Sequence, residues 1–214
     1  MTWDVDGETY FNERAISTQQ TGFSFVAQCR SWLPDPVGGI IWFGVDDTYY
    51  TVYTPMYCGI TEVPESFAVG NGDMMTFSES SAFWIFNQVS NFAYTRASTM
   101  EGDIKTIQGK LEQRYIDETA EIDKIASKIY QEDPGAAVRY LTDYSVRSGQ
   151  NTATVWKKFY SFLFTKYMDG NIKEAREIPE GYKYVTPSIS QPGYSEEWYR
   201  TIVKETGDKF KEKK

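Results

Sequence analysis

Gln28 and Arg30 stand two residues apart in the aromatic-rich run Phe23-Ser24-Phe25-Val26-Ala27-Gln28-Cys29-Arg30-Ser31-Trp32, and Ser24 falls in the same two-residue register. If that run is a strand, Ser24, Val26, Gln28, Arg30 and Trp32 share one face, and Phe23, Phe25, Ala27, Cys29 and Ser31 share the other, which reads as the core face. An arginine placed in a sheet must find a carboxylate or line a cavity. Two readings follow: Arg30 binds an anion or oxyanion, or it sits on an edge strand and reaches solvent. Other groups able to do chemistry are few. Cys29 and Cys58 read as inert, buried thiols without a base beside them. Asp46-Asp47 and Asp103 lack the oxygen-rich spacing of a calcium loop and read as a turn and a helix cap. No metal site or cofactor motif is predicted. Thr2 would become an N-terminal nucleophile if Met1 were removed, but its charged surroundings lack an apolar strand to hold it.

The chain contains no histidine. Serine-histidine-aspartate triads, cysteine-histidine dyads and imidazole-based zinc sites are therefore excluded, and catalysis would rest on carboxylates, Lys, Tyr, a thiol or a terminal amine. The 22 Lys+Arg against 30 Asp+Glu give a net charge of -8, which argues against a phosphate-backbone partner. Residues 1–95 hold two basic and eleven acidic residues, a balance of -9, while residues 96–214 come to +1. No stretch of eighteen apolar residues and no targeting segment is present, so no membrane partner is expected and the compartment stays open. Two cysteines are too few for a disulfide scaffold.

The elements that must position these groups change character near residue 80. Beyond the strand at Phe23–Trp32 and the Pro- and Gly-rich turn at 33–39, the segments 40–45 and 48–53 read as a hairpin around Asp46-Asp47, with Pro55 ending its second strand. Residues 54–80 read as an ordered connection. Ala82, Phe83, Ile85, Phe86, Val89, Phe92 and Ala93 recur at helical spacing after Ser80-Ser81. A second helix is expected from about Thr99 to Glu132, with its apolar stripe running from Ile104 to Ile129. Asp133-Pro134-Gly135 restarts a helix to about Arg147, and Asn151 or Thr152 opens another that ends at Asp169-Gly170. Residues 1–175 read as one domain. Residues 176–214 read as an extended aromatic tail with a short helix from Ser195 to Thr206.

The residues Arg14-Ala15-Ile16-Ser17-Thr18, Gln28-Cys29-Arg30-Ser31-Trp32-Leu33-Pro34, Gly38-Gly39-Ile40-Ile41-Trp42, Tyr53-Thr54-Pro55-Met56-Tyr57-Cys58-Gly59 and Ser80-Ser81-Ala82-Phe83-Trp84 resemble the later half of the cysteine-nucleophile dipeptidases, members of the N-terminal-nucleophile hydrolase superfamily. The resemblance implies an αββα sandwich in which a cysteine at the mature N-terminus attacks a dipeptide carbonyl, with its own α-amine as base. It also implies that Arg30 is a supporting catalytic residue, with Ser24 and Gln28 lining the cleft. No cysteine stands at the start of this sequence. The expectation is thus the C-terminal portion of such an enzyme, whose partners are a dipeptide substrate and a missing N-terminal portion. Alone it would be silent, with a tendency to self-associate. The expected fold is α+β: an antiparallel sheet of three to five strands packed by helices, a partial αββα sandwich. One rival is a non-catalytic module that binds peptide by strand addition. A second is an unrelated enzyme using a pair such as Glu62/Glu65 for acid-base work.

Overall fold

The computed structural model describes residues 2–212 and is α+β, with antiparallel sheets and long helices. It divides into two compact units, one running to Phe162 and the other starting at Leu163. The first begins with a hairpin absent from the expectations above. β1 (Thr2–Val5) pairs with β2 (Glu8–Phe11) through a two-residue turn at Asp6-Gly7, both with positive φ (50° and 85°). Asp-Gly is the pair that such a turn favours. Thr2 therefore opens an exposed strand, with no cleft around it.

The main sheet is three-stranded, in the order β3 (Phe23–Cys29), β4 (Gly39–Val45), β5 (Thr54–Tyr57). β3 and β4 are joined through the short helix α1 (Asp35–Gly38). The hairpin expected over 40–53 does not form. Residues 48–53 are turn and coil, and Pro55, read as a terminator, lies inside β5. Pro is tolerated on such an edge because its missing N–H removes no ladder bond. Helices close the free side of this strand: Tyr57 N donates to Ser145 Oγ and Thr61 N to Thr142 Oγ1, each at 3.2 Å. One sheet edge is thereby blunted.

Register decides which face is buried. The pairs Val26↔Trp42 and Gln28↔Ile40 put the even-numbered residues of β3 on the same face as Ile40, which pairs in turn with Tyr57. Ile40 and Tyr57 join Val37, Ala126, Leu141 and Tyr144 in the core under the helices. The odd-numbered face, expected to be the core, is open: Phe23 is 59% and Phe25 55% exposed, and Ala27 and Cys29 are exposed too. The helices cover the even-numbered side of the sheet at Ile40 and Tyr57, but β3 runs out from under them, so that Val26 (57%) and Gln28 are exposed as well; alternation alone cannot say which side is covered.

Three helices complete the unit. α2 (Ala82–Tyr94) and α3 (Ala97–Glu132) lie where the apolar spacing puts them. Asp103 falls in the second turn of α3 and is not its cap. α4 (Pro134–Tyr167) is one continuous helix, where a break was expected between Arg147 and Asn151. Asp133 caps it, accepting from Ala136 N at 3.0 Å. The Ser148-Gly149-Gln150 sequence looked like a helix end, but Gly149 serves close approach instead. A Cβ at that position would collide with the ring of Pro64 and sit 3.2 Å from Met56 Cε.

The second unit contains the end of α4, then β6 (Ile172–Glu174) paired antiparallel with β7 (Ser188–Ser190), and α5 (Glu196–Thr206). Ser195 caps α5 through Trp198 N at 3.2 Å. Tyr194 stacks on Trp198 with ring centroids 4.2 Å apart. No helix of the described residues is long and apolar enough to cross a membrane.

The glycines give a paired prediction. Gly149→Ala gains about 1 kcal/mol of helix propensity but overpacks against Pro64, which costs about 1–3 kcal/mol, so a net loss of stability is expected. Gly102→Ala and Gly109→Ala, in α3 with nothing within 4 Å of the added methyl, should each stabilise by about 1 kcal/mol. Urea denaturation of the three variants reads both signs.

Candidate functional site

The face of β3 that carries Ser24 and Gln28 looks toward α3 across an open groove of about 490 Å³. Val26, Gln28 and Trp42 form its sheet wall, and Glu112 and Ile116 of α3, four residues apart on one helical face, form the other, with Tyr53 between. Polar groups line it in pairs. Trp42 Nε1 donates to Gln28 Oε1 at 3.0 Å, Ser24 Oγ lies 2.9 Å from the Tyr53 hydroxyl, and Tyr53 N donates to Glu112 Oε1 at 3.1 Å. Burial holds the Glu112 carboxyl above its ordinary value of 4.5, opposed by the Tyr53 amide and by Lys105. The groove thus offers an amide, the Tyr53 hydroxyl and a carboxyl that takes up a proton more readily than usual. Such a set orients a polar ligand and can exchange a proton with it. No nucleophilic thiol lies on this wall.

Arg30 does not line the groove. It lies one residue past the end of β3 and is only 8% exposed. Its guanidinium forms an ion pair with Asp123 of α3, donates through Nη2 to Val37 O at 2.6 Å, and reaches Gly38 O through Nε at 3.4 Å. The solvent-reaching alternative is ruled out; the carboxylate required of a buried arginine is Asp123. That carboxylate also accepts from the Tyr57 hydroxyl at 2.7 Å. Burial first, and then this bond, push the Tyr57 phenol far above its usual range. The arginine closes the last carbonyls of α1, where a cation is favoured, and ties β3, α1, β5 and α3 together. Of the three residues singled out in the sequence, the structure brings Gln28 into the groove, leaves Ser24 outside its lining and in contact with Tyr53, and sets Arg30 away from it.

Cys29 and Cys58 are both exposed, which corrects the expectation that they are buried. They flank Gly39: Cys29 pairs with it across the ladder, and Cys58 N donates to its carbonyl at 2.9 Å. Two interstrand spacings, roughly 10 Å, separate them, too far for a disulfide.

The Asp46-Asp47 pair was read as a turn, and it does turn the chain, Asp46 with φ 65°. Both side chains are nevertheless buried. Asp46 accepts from Asn87 Nδ2 at 2.8 Å and from Ser90 Oγ, and burial raises its affinity for a proton. Asp47 accepts from Ser17 Oγ, from Tyr49 N at 3.0 Å and from Tyr94 OH at 2.6 Å. The pair anchors α2 to the sheet. No sequence signal marked it, since its donors come from residues 17 to 94. Among the described residues no group of three or more Cys, Asp or Glu could hold a metal ion.

With this geometry in view, comparison with known proteins becomes informative. The profile of Peptidase family C69 matches residues 4–110, half the chain. The chain belongs to peptidase family C69. That family comprises cysteine peptidases of the N-terminal-nucleophile clan that act as dipeptidases, so the resemblance seen in the sequence holds at family level. No curated protein matches the chain. In this family C69 chain the matched span covers β1 through the first third of α3. It includes Ser24, Gln28, Arg30 and the Asp46-Asp47 anchor, whereas Glu112, Ile116 and Asp123 lie beyond it.

Two measurements probe the site. Arg30→Ala strands Asp123 beside the core and should cost about 3–5 kcal/mol, the range for breaking a buried ion pair, read as a fall in the urea midpoint. Loss below 1 kcal/mol would mean that the pair is not structural. For Glu112 the folded state binds its proton more tightly than the unfolded state. Its contribution to stability is therefore fully present below 4.5 and is lost as pH rises through the folded-state value. Glu112→Gln should flatten that slope in denaturation curves taken from pH 4 to 7.

Proposed function

We propose that this chain forms part of a cysteine-type dipeptidase whose attacking thiol, with its α-amine base, lies in polypeptide outside residues 1–214. The observation that carries this is the family C69 match together with the absence of a usable nucleophile among the residues present. Cys29 sits inside the β3–β4 ladder and Cys58 just past β5. Neither can present a terminal amine without loss of the sheet that holds it, and no histidine is available to replace that amine. The open face with Phe23, Phe25 and Phe43 supports a second sheet packing there, which would complete an αββα sandwich; exposed apolar surface of this kind needs a cover. In this arrangement Arg30 is a positioning residue: it fixes the end of β3 and so the placement of Ser24 and Gln28, which would contact the dipeptide.

A second reading has its own support. β3 has a neighbour on one side only, and its free edge could accept an extended peptide by strand addition, which would make the chain a binding module.

The discriminating experiment is hydrolysis of a dipeptide panel by the purified chain, alone and after co-expression with the polypeptide encoded directly upstream in its reading frame. The expected result is no turnover alone and turnover abolished by thiol alkylation after co-expression. Turnover by the chain alone that Cys29→Ser or Cys58→Ser removes would place the nucleophile here and overturn the proposal. Binding of extended peptides with no turnover in either form would favour strand addition. Without a cover, the apolar face should also drive concentration-dependent association, read by sedimentation velocity.

A further inference from the structure

Glu112 is the one charged residue lining the groove between β3 and α3, and the fold gives it no countercharge. It is half-buried and accepts from Tyr53 N at 3.1 Å, with a smaller contribution from Gln108, both neutral dipoles. No ion pair among the described residues includes it. Lys105, two turns earlier on α3, is committed elsewhere. Its ammonium donates to Tyr49 O at 2.5 Å and to Gln108 Oε1 at 3.0 Å, and lies 3.6 Å from the centre of the Tyr49 ring. A carboxylate partly withdrawn from water is costly, and an incoming cation or a proton relieves that cost. Asp123 is the contrasting case, since Arg30 neutralises that carboxylate within the fold.

The surfaces beside Glu112 are apolar. Val26 and Ile116 are 57% and 55% exposed, and the indole of Trp42 is pinned by its bond to Gln28 Oε1 at 3.0 Å. Aliphatic surface next to a carboxylate without a cation complements a side chain that has an apolar stem and a cationic head. An indole adds attraction for a guanidinium or an ammonium. The volume of about 490 Å³ falls in the range of small-ligand sites. Residues 1–95, with their balance of -9, supply a field that draws cations in. A second pocket, of about 350 Å³, lies between the 66–74 segment and the first turn of α2 and has no such complement. Its carboxylate, Asp73, is exposed and already accepts from Met75 N at 2.7 Å and Thr76 Oγ1 at 3.1 Å, so a cation there gains little over water.

We infer that the groove selects a basic side chain, lysine or arginine, of the peptide it receives: Glu112 pairs with the cationic head, and Val26, Trp42 and Ile116 cover the methylene stem. The inference rests on the peptide-substrate reading above and adds a side-chain preference to it. Glu112 is then a specificity-determining residue that touches no reacting atom. An apolar side chain of the same length would cover the walls but leave the carboxylate desolvated and unpaired, and an acidic one would meet repulsion.

The test reads binding and not turnover. The ¹⁵N-labelled chain is titrated with the N-acetyl, C-methylamide forms of lysine, arginine, norleucine and glutamate, whose blocked ends leave the side chain as the only variable. The indole N–H of Trp42 and the amides of Val26 and Ile116 serve as reporters. Lysine and arginine should shift all three, with norleucine at least tenfold weaker and glutamate silent. Glu112→Gln keeps an acceptor for the Tyr53 amide and should bring the basic ligands down to the norleucine level; Glu112→Arg should turn the preference toward glutamate. Norleucine binding as well as lysine, a basic preference that survives Glu112→Gln, or no shift at millimolar ligand would overturn the assignment. Failure of hydrolysis after co-expression sinks the dipeptidase reading and leaves these shifts intact. Hydrolysis without them sinks the side-chain preference alone.

Discussion

The Arg30–Asp123 ion pair is the constraint on which the first unit depends. A guanidinium this buried is expensive to desolvate, and it is tolerated because each of its faces is met by Asp123 or by the terminal carbonyls of α1. The carboxylate is met in turn by the Tyr57 hydroxyl. Four elements distant in sequence are thereby held at one point. An apolar cluster of the same size would be no less stable, but it would not fix the direction in which β3 runs into α1. Since β3 carries Ser24 and Gln28, that direction sets the sheet wall of the groove.

The two faces of the sheet are treated differently as a result. On the helix side, Ile40 and Tyr57 pack with α3 and α4, and the groove opens where β3 runs out from under α3. On the other side, Phe23 stacks on Phe43 with centroids 5.8 Å apart, and Phe43 meets Phe67 edge-on at 6.1 Å. Three aromatic rings in a row on a solvent-facing sheet stabilise one another weakly compared with full burial. Their arrangement is that of an interior surface, continuous through Phe67 and Val45 with the wall of the second pocket. The groove and the pocket thus lie on opposite sides of one three-stranded sheet.

Much of this was legible from residue types alone. The apolar spacing located α2 and α3, the Asp133-Pro134 pair marked the start of α4, and the short helix expected from Ser195 to Thr206 is α5. What failed were inferences in which a local signal competes with a distant partner. Gly149 has the look of a helix end, but its role is set by Pro64, eighty-five residues earlier. The two-residue alternation of β3 assigns its faces, yet neither face is buried, because how far the sheet is covered is set by α3, about seventy residues later. Asp46 and Asp47 resemble a solvent turn because their donors, Ser17, Asn87, Ser90 and Tyr94, are scattered and carry no charge. The Asp6-Gly7 pair is a local turn signal for the β1–β2 hairpin. For the site, the register of Ser24, Gln28 and Arg30 put them on one face, and only the coordinates show that Asp123 draws the last of them out of the groove.

The acidic first half is compatible with this fold because its carboxylates are neutralised by dipoles more than by cations. Asp46 is held by an amide and a hydroxyl, Asp47 by two hydroxyls and a backbone amide, and Asp73 by a backbone amide and a hydroxyl. Dipolar partners have fixed positions and lose little to salt, whereas exposed lysines would be screened. They also leave the net negative charge in place. Burial raises the proton affinity of two carboxyls, the buried Asp46 and the half-buried Glu112. One locks α2 to the sheet and the other lines the groove, so protonation acts on the frame of the pocket and on the wall of the groove through the same physical cause.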